Sequence, residues 1–444
     1  MSSDLRDYLA QILKKKDLTV VKKTVSTKYE IAAITAKMDG SKAILFEKVK
    51  ESRFRIVSNL VGTKERFAQA VGASQHKIHD KVIWAIKHTS KPRIVAKGKF
   101  MENQSHDLFI LPIVTHFAKE PGPFITSSII YTRNQEVGTQ NSSFHRLLLL
   151  DKRHFSVRMV EGRHLHRTYM YAKEHGEDLR VAITVGVHPA VSIAGAYQAE
   201  WGQDELEIAN ELLGRKLTLA MCPYSGLLVP SEAEIVMEGR ILKDKNYKEW
   251  MVEMLRTYDF KRMQPVFELD RIHYRNKPIF HDILSGYGEH RLLMGMPIEA
   301  KLNRNLKKVL PQTRKVVLTE GGCKWLHAVV QMSKKRESDP KKAIKVAFAT
   351  HRSLKNVIVV DDDINPLDPV AVEYAMATRF QADKDLVVIP KVRGSSLDPS
   401  SDQKNLLTTK MGVDATKSFS KNSQGFEIAT IPGSDKLYLK NYLK

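Results

Sequence analysis

Leu5, Tyr8, Leu9 and Ile12 recur at helical spacing near the start of the chain and leave one apolar stripe among polar residues. Short β-type runs follow, TVVKKTVS, AILFEKV and FRIVSNLVG, with the apolar-rich EIAAITAKMDG between the first two. Glu65 to Val71 and the stretch HKIHDKVIWAIKHT carry the helical period again. Mixed signals of this kind predict an α/β domain over residues 1–115.

From 116 to 305 the pattern turns strand-rich. Proline and glycine cluster at Glu120 to Pro123, then FITSSIIYTR, FHRLLLLD, HFSVRMV, VAITVGV, KLTLAMC and AEIVMEG succeed one another. A helix is predicted from about His164 to His175, stopped by Gly176. A second helix runs through DELEIANELL, with Leu206, Ala209 and Leu213 on one face and Gly214 after it. Many strands and few helices suggest a barrel-like sheet. From 306 to 444, RKVVLT, KVAFAT, NVIVVDDD and DLVVIP read as buried parallel strands. Asp368 and Pro369 make an N-cap and N1 pair for the helix VAVEYAMATR. The tail from Arg393 to Ser423 reads as loop with an embedded TTKMGVDAT segment.

A length of 444 residues favours two or three domains. The net charge of +21 raises nucleic acid as a partner, but the basic residues are dispersed and no zinc-finger or RRM motif accompanies them. A solvated basic surface is the better reading. Two cysteines in no CxxC pair argue against a disulfide framework or zinc site and fit a reducing cytoplasm. The N-terminus lacks a secretory h-region, and no run approaches the ~18 apolar residues of a membrane span.

Generic motifs contribute little. GYGEH and VGTKER complete neither GxGxxG nor GxxxxGK[ST], and there is no GxSxG or HExxH. The triplet Asp361 to Asp363 suits a metal less well than a capped turn. More specific is a series of blocks in fixed order: ITSSIIYTRNQEVGTQNSSFHRLLLLD, EGRHLHR, VAITVGVHPAV, YSGLLVPSEAEIVMEG, PIFHDILSGYGEHRLLMG, VIVVDDDINPLD with MATR, and TKMGVDAT. With YEIAAITAKMDGSKAILFEKV near the start, they resemble the UbiD family over nearly the whole chain.

That resemblance implies a central split β-barrel carrying prenylated FMN, flanked by N-terminal and C-terminal α/β regions. It implies Mn²⁺ or Mg²⁺ with K⁺ at the cofactor phosphate, a separate flavin prenyltransferase as cofactor supplier, and a homo-oligomer (dimer or hexamer). Asn141, His164 and Glu238 match the metal-ligand positions, and an amide, an imidazole and a carboxylate suit such a cation. His166 is the alternative imidazole. Arg146, five residues after Asn141, matches the catalytic arginine, whose planar guanidinium suits a substrate carboxylate. Glu289 matches the proton donor, or else pairs with Arg291, and Asp282 is a candidate second acid. Thr126, Ser127, Arg163 and Lys410 match cofactor-facing positions.

Two stretches depart from the aromatic-acid members. An EGPFGE-like stretch reads KEWMVEMLRTYD, and an NxGxYR motif reads NSSFHR. The second, with GEHRLLMGMP, GGCKWLHAVVQ and RGSSLDPS, looks more like the archaeal branch that decarboxylates trans-anhydromevalonate 5-phosphate to isopentenyl phosphate. His145, Trp325 and His327 would then face substrate and cations such as Arg291 would meet its phosphate, the alternative for all four being a core or surface position. The alternatives are a decarboxylase of an aromatic acid such as a 4-hydroxybenzoate derivative, a conventional flavin oxidoreductase, and an inactive nucleic-acid-binding relative.

Overall fold

The first helix forms over Leu5–Lys14, and Leu5, Tyr8, Leu9 and Ile12 are the residues it buries. Asp4 caps it, its carboxylate accepting from the Arg6 amide. The computed structural model describes residues 3–420 and 423–443. The chain divides into two compact units, residues 1–301 with 320–325, and residues 302–319 with 326–444.

The first unit is built on three sheets. Leu18–Val21, Ala43–Phe46, Arg55–Ser58 and Ile279–Asp282 form a four-stranded sheet in that order. Arg93–Val95, Thr218–Met221 and Leu228–Pro230 form a small three-stranded one. The largest has nine strands, and its main path runs Phe124–Ile125, Leu147–Leu149, His154–Val157, Arg262–Tyr274, Ile235–Glu249, Leu179–Val185, Ile129–Arg133 and Gln140–Phe144. Its two end strands do not pair with each other, so the sheet is the split barrel the sequence suggested. Both faces are covered. Ile129, Tyr131, Ala182 and Val236 pack into one apolar cluster, while Ile130, Val181, Ile183, Ile235 and Met237 pack into another. Alternate residues of each strand thus enter opposite cores, which is why these strands read as unbroken apolar runs.

The longest hairpin, Ile235–Glu249 with Arg262–Tyr274, is irregular between Glu238 and Gly239 and again between Ile241 and Asn246. A Cβ on Gly239 would lie 2.1 Å from the Glu268 carbonyl oxygen, so only glycine fits the first irregularity. The second lies further along the same strand, which ends at Glu249.

The second unit is a mixed five-stranded sheet in the order Thr313–Leu318, His327–Met332, Asn356–Asp361, Leu407–Ala415, Leu386–Arg393. Three expectations change here. KVAFAT lies in the helix Asp339–Thr350, because Ala343, Ile344, Ala347 and Phe348 bury one helical face. RKVVLT and DLVVIP are strands, but each pairs antiparallel. TTKMGVDAT is an interior strand between two partners, not an insert in a loop. The Asp368 and Pro369 pair does open a helix, Pro369–Arg379, with the Asp368 carboxylate accepting from Val370 N at 2.9 Å. The aspartate triplet is tied to the same helix, since Asp361 and Asp363 both pair with Arg379.

Among the described residues no helix is long and apolar enough to cross a membrane.

Candidate active site

Gln140–Phe144 is an end strand of the large sheet, paired only with Ile129–Arg133. Its free side faces the start of two helices, and each helix contributes its first residue. His164 opens His164–Glu174, and Glu205 opens Glu205–Leu212, which Asp204 caps. Asn141 Nδ2 donates to Glu205 Oε1 at 2.9 Å and lies 3.4 Å from His164 Nδ1. Glu205 Oε2 accepts from the Ser142 amide at 2.8 Å. Lone pairs of a carboxylate and an imidazole therefore converge on one amide group, in the place where a cation would sit with the amide turned to offer its oxygen.

The electrostatics agree. Burial, helped by neighbouring Asp204, pushes the Glu205 carboxyl up to about 8, although Ser142 N and Asn141 lower it. Burial also lowers His164, with Arg163 and Arg167 adding to the effect, so the imidazole is held in its neutral, metal-binding form. Trp201 stands against the His164 ring at 5.1 Å, and the Arg167 guanidinium covers that indole at 4.0 Å. Among the described residues no three His, Cys, Asp or Glu side chains form a metal-binding group. A set of one amide, one imidazole and one carboxylate is compatible with that.

Glu238 stands elsewhere. It pairs in register with Ala182, which pairs with Tyr131, which pairs with Ser142, so three strand spacings of ~4.8 Å separate it from the Asn141 strand. Its carboxylate is taken up by the Tyr224 amide at 2.9 Å and by Ser225 Oγ at 2.8 Å, with His273 at 3.1 Å. It pins a turn.

The second constellation surrounds Arg146. Its Nε and Nη2 hold both oxygens of Glu249, at 3.0 and 2.9 Å. Nη1 donates to Glu253, and Nη2 also reaches Asp259 at 3.2 Å. Arg158 and Arg262 flank the same carboxylates. Burial alone would raise the Asp259 carboxyl, but Arg146, Arg158 and Arg262 hold it below its ordinary value. Of the three carboxylates, Glu249 and Asp259 are 1% and 3% exposed at the side chain, whereas Glu253 is 22% exposed. Glu253 is the one that an incoming molecule can meet.

Neither expected acid joins this group. Glu289 is held by His281 Nε2 and the Val61 amide, both at 3.1 Å. The reason is helical rotation: Glu289 turns toward the N-terminal sheet, while the next residue, His290, lies within the field of Arg146. Asp282 Oδ1 is bonded to His116 Nε2 at 2.9 Å. Thr126 lies beside Asp282, its hydroxyl accepting from Ile283 N at 3.0 Å, and Ser127 donates to the His281 carbonyl.

The remaining candidates are dispersed. Arg163 occupies the N-cap position before His164. His166 faces the Gly162 amide at 3.4 Å, not Asn141. His145 bridges Ser143 Oγ and the Arg158 carbonyl, at 2.9 and 2.8 Å, and burial keeps it neutral with a pKa of about 4. Lys410, in the second unit, donates to the Arg352 carbonyl at 2.6 Å. Trp325 belongs to the first unit and His327 to the second.

Glu205, Glu249 and Glu253 were missed by sequence reasoning. The signal for the last two was present: KEWMVEMLRTYD lacks the glycine and proline of the motif it replaces but keeps a glutamate at each end of EWMVE.

Family models match most of the chain. The N-terminal, Rift-related and C-terminal domains of 3-octaprenyl-4-hydroxybenzoate carboxy-lyase match residues 9–86, 88–288 and 291–415. An anhydromevalonate phosphate decarboxylase of Methanocaldococcus jannaschii is 40% identical over 96% of this chain and 100% of its own. The UbiD-class enzyme HmfF from Pelotomaculum thermopropionicum in complex with FMN superposes with a TM-score of 0.95 at 37% identity, covering 99% of this chain and 100% of that one. An evolved dimeric form of the same enzyme in complex with prFMN gives 0.92 at 35%, with both chains fully covered. With these matches spanning all but the ends of the sequence, the chain belongs to the UbiD family of carboxy-lyases.

Proposed function

We propose that this protein is a prenylated-FMN-dependent decarboxylase that converts trans-anhydromevalonate 5-phosphate to isopentenyl phosphate and CO₂ in a mevalonate pathway. The observation that carries the reading is the pairing of two sites on one stretch of chain. Asn141 meets His164 and Glu205, and five residues later Arg146 is clasped by Glu249, Glu253 and Asp259. The relative named for this substrate matches end to end.

Asn141, His164 and Glu205 are the residues to hold a divalent ion, Mn²⁺ or Mg²⁺, at the cofactor phosphate. Thr126, Ser127 and Arg163 are carried over as cofactor-facing residues by resemblance, and K⁺ is expected beside the phosphate. When bound, the prenylated flavin supplies the electron sink for loss of CO₂. Arg146 fixes the position of the acid groups. Glu249, bidentate and buried, anchors the guanidinium, while the more exposed Glu253 returns a proton to the carbon that CO₂ leaves. A flavin prenyltransferase supplying the cofactor, a homo-oligomeric assembly and a cytoplasmic location belong to the same reading.

The test is mass spectrometry of small molecules released from protein co-produced with a flavin prenyltransferase, with CO₂ release measured on two acids. Prenylated FMN and turnover of the phosphorylated acid are expected. Turnover of 4-hydroxybenzoate alone would sink the substrate assignment, and absence of any flavin would sink the cofactor.

A second test concerns the cation. The folded-state pKa of Glu205, about 8, lies above the ordinary 4.5, so the cation-free chain loses stability as pH rises between those values. A divalent ion binds the ionised form and offsets that loss. The rise in melting temperature produced by Mn²⁺ should therefore be larger at pH 8 than at pH 6, and Glu205→Gln should abolish it. An equal shift in the variant would refute the ligand assignment.

A further inference from the structure

The charges around Arg146 cancel. Arg146, Arg158 and Arg262 stand against Glu249, Glu253 and Asp259, three cations to three carboxylates. A phosphorylated acid brings a carboxylate and a phosphate of about −1.5 to −2 charge, so the site needs cations not already neutralised.

Two arginines beside it meet that need. Arg291, in the first turn of Gly288–Val309, is half-buried, and its Nε has no hydrogen-bond partner despite being inaccessible to solvent. No carboxylate of the described residues lies within salt-bridge distance of it. Burying a guanidinium without an acceptor is costly, and such a group is satisfied when an anion arrives. Its neighbour His290 accepts on Nδ1 from the Gly286 amide at 3.1 Å, and Gly286 is the residue that the Arg256 side chain crosses. Burial first, then the positive charges of Arg291 and Arg146, push that imidazole down to about 4.

Arg256 approaches from the other side. It follows Glu253 in a tight turn, Arg256 N donating to the Glu253 carbonyl at 2.8 Å. Its φ of +61° is unusual for a residue with a side chain. The side chain crosses Gly286, where a Cβ would come within 2.4 Å of Arg256 Cγ, and its guanidinium lies 5.2 Å from the Tyr287 ring centroid. Tyr287 in turn is bonded through its carbonyl to the Arg291 amide at 2.9 Å. Arg256 also has no carboxylate partner among the described residues. A strained turn, a glycine without which the arm could not pass and the Arg256 guanidinium meet at Tyr287, one helical turn before Arg291.

We propose that Arg256 and Arg291 hold the phosphate of the substrate while its carboxylate end lies toward Arg146, and that this pair sets the preference for a phosphorylated acid. The proposal rests on the reading of the protein as a decarboxylase of such an acid. Arg291 supplies a fixed, partly desolvated donor, and Arg256 closes over the phosphate from the exposed turn.

The experiment uses holoenzyme co-produced with a flavin prenyltransferase, as wild type, Arg256→Gln and Arg291→Gln, each checked by thermal melting. Steady-state rates are measured on trans-anhydromevalonate 5-phosphate and on the same acid lacking the phosphate, with inorganic phosphate as a competitor. Each variant is expected to raise KM for the phosphorylated acid by about 10-fold to 100-fold, the loss of one or two charge-assisted hydrogen bonds. The preference over the unphosphorylated acid should shrink by a similar factor, and inorganic phosphate should inhibit the variants more weakly. Arg256 is exposed, so its variant keeps the test valid should Arg291→Gln not fold. Wild-type KM and preference in a folded Arg256→Gln would overturn the proposal while leaving the decarboxylase reading intact. A wild-type enzyme that decarboxylates only an unphosphorylated acid would overturn both.

Discussion

Glu205→Ala protein, co-produced with a flavin prenyltransferase, is expected to emerge without flavin and without manganese, whereas Glu238→Gln protein should retain both. Glu205 and Glu238 are both buried, and their surroundings differ in kind. Glu205 has one oxygen on the Ser142 amide and the other on the Asn141 side chain, with His164 facing the same amide group. Burial, with Asp204 beside it, raises its pKa to about 8. Glu238 has one oxygen fully engaged, accepting from Tyr224 N, Ser225 N and Ser225 Oγ. An amide oxygen in Glu238→Gln can accept the same bonds. Mass spectrometry of the released flavin and metal analysis of both variants decide between them. Flavin lost from the Glu238 variant but kept by the Glu205 variant would return Glu238 to the ligand set.

Arg146→Gln should lower kcat/KM by at least about 10³-fold, roughly 4 kcal/mol of transition-state stabilisation. It should also lower stability, which Glu253→Gln should not. Glu249 and Asp259 are almost wholly buried against the Arg146 guanidinium, and removing a cation from such a pair costs about 3–5 kcal/mol because the remaining charge stays buried. Glu253 is partly exposed, so its neutral variant loses the proton donor, about 10²-fold to 10⁴-fold in rate, without leaving a charge buried. The acid limb gives an independent check. Asp259 is held below its ordinary 3.8, so its contribution is present above that pH and disappears as pH falls through the lowered value. Arg146→Gln removes one of the three charges responsible, and its melting temperature should fall less steeply on acidification below pH 4. Melting curves and initial rates on the three proteins measure all of this. An Arg146 variant that melts like wild type would show that the carboxylates do not depend on it.

Much of this was open to a reader of the sequence. The N-terminal stripe, the helix stopped at Gly176, the Asp368 cap and the apolar strands are local or periodic features, and short-range sterics and burial decide them wherever the segment ends up. Asn141, His164 and Arg146 were named through the family resemblance, and the structure brings Asn141 and His164 within 3.4 Å of each other. KVAFAT failed as a strand because a short apolar run has no period of its own, and only the burial of one helical face in the second unit assigned it. Acid partners lay beyond local reading for a different reason. Asn141 meets Glu205 across 64 residues, and Arg146 meets Glu249 across 103. A carboxylate is chosen as a partner by which buried charge it can neutralise, and that depends on the sheet order that brings the strand ending at Glu249 to Arg146. The sequence by itself determined the family and most of the elements; the tertiary structure alone decided which of several similar glutamates faces Asn141 and Arg146, because charge pairing is settled by proximity in space and not along the chain.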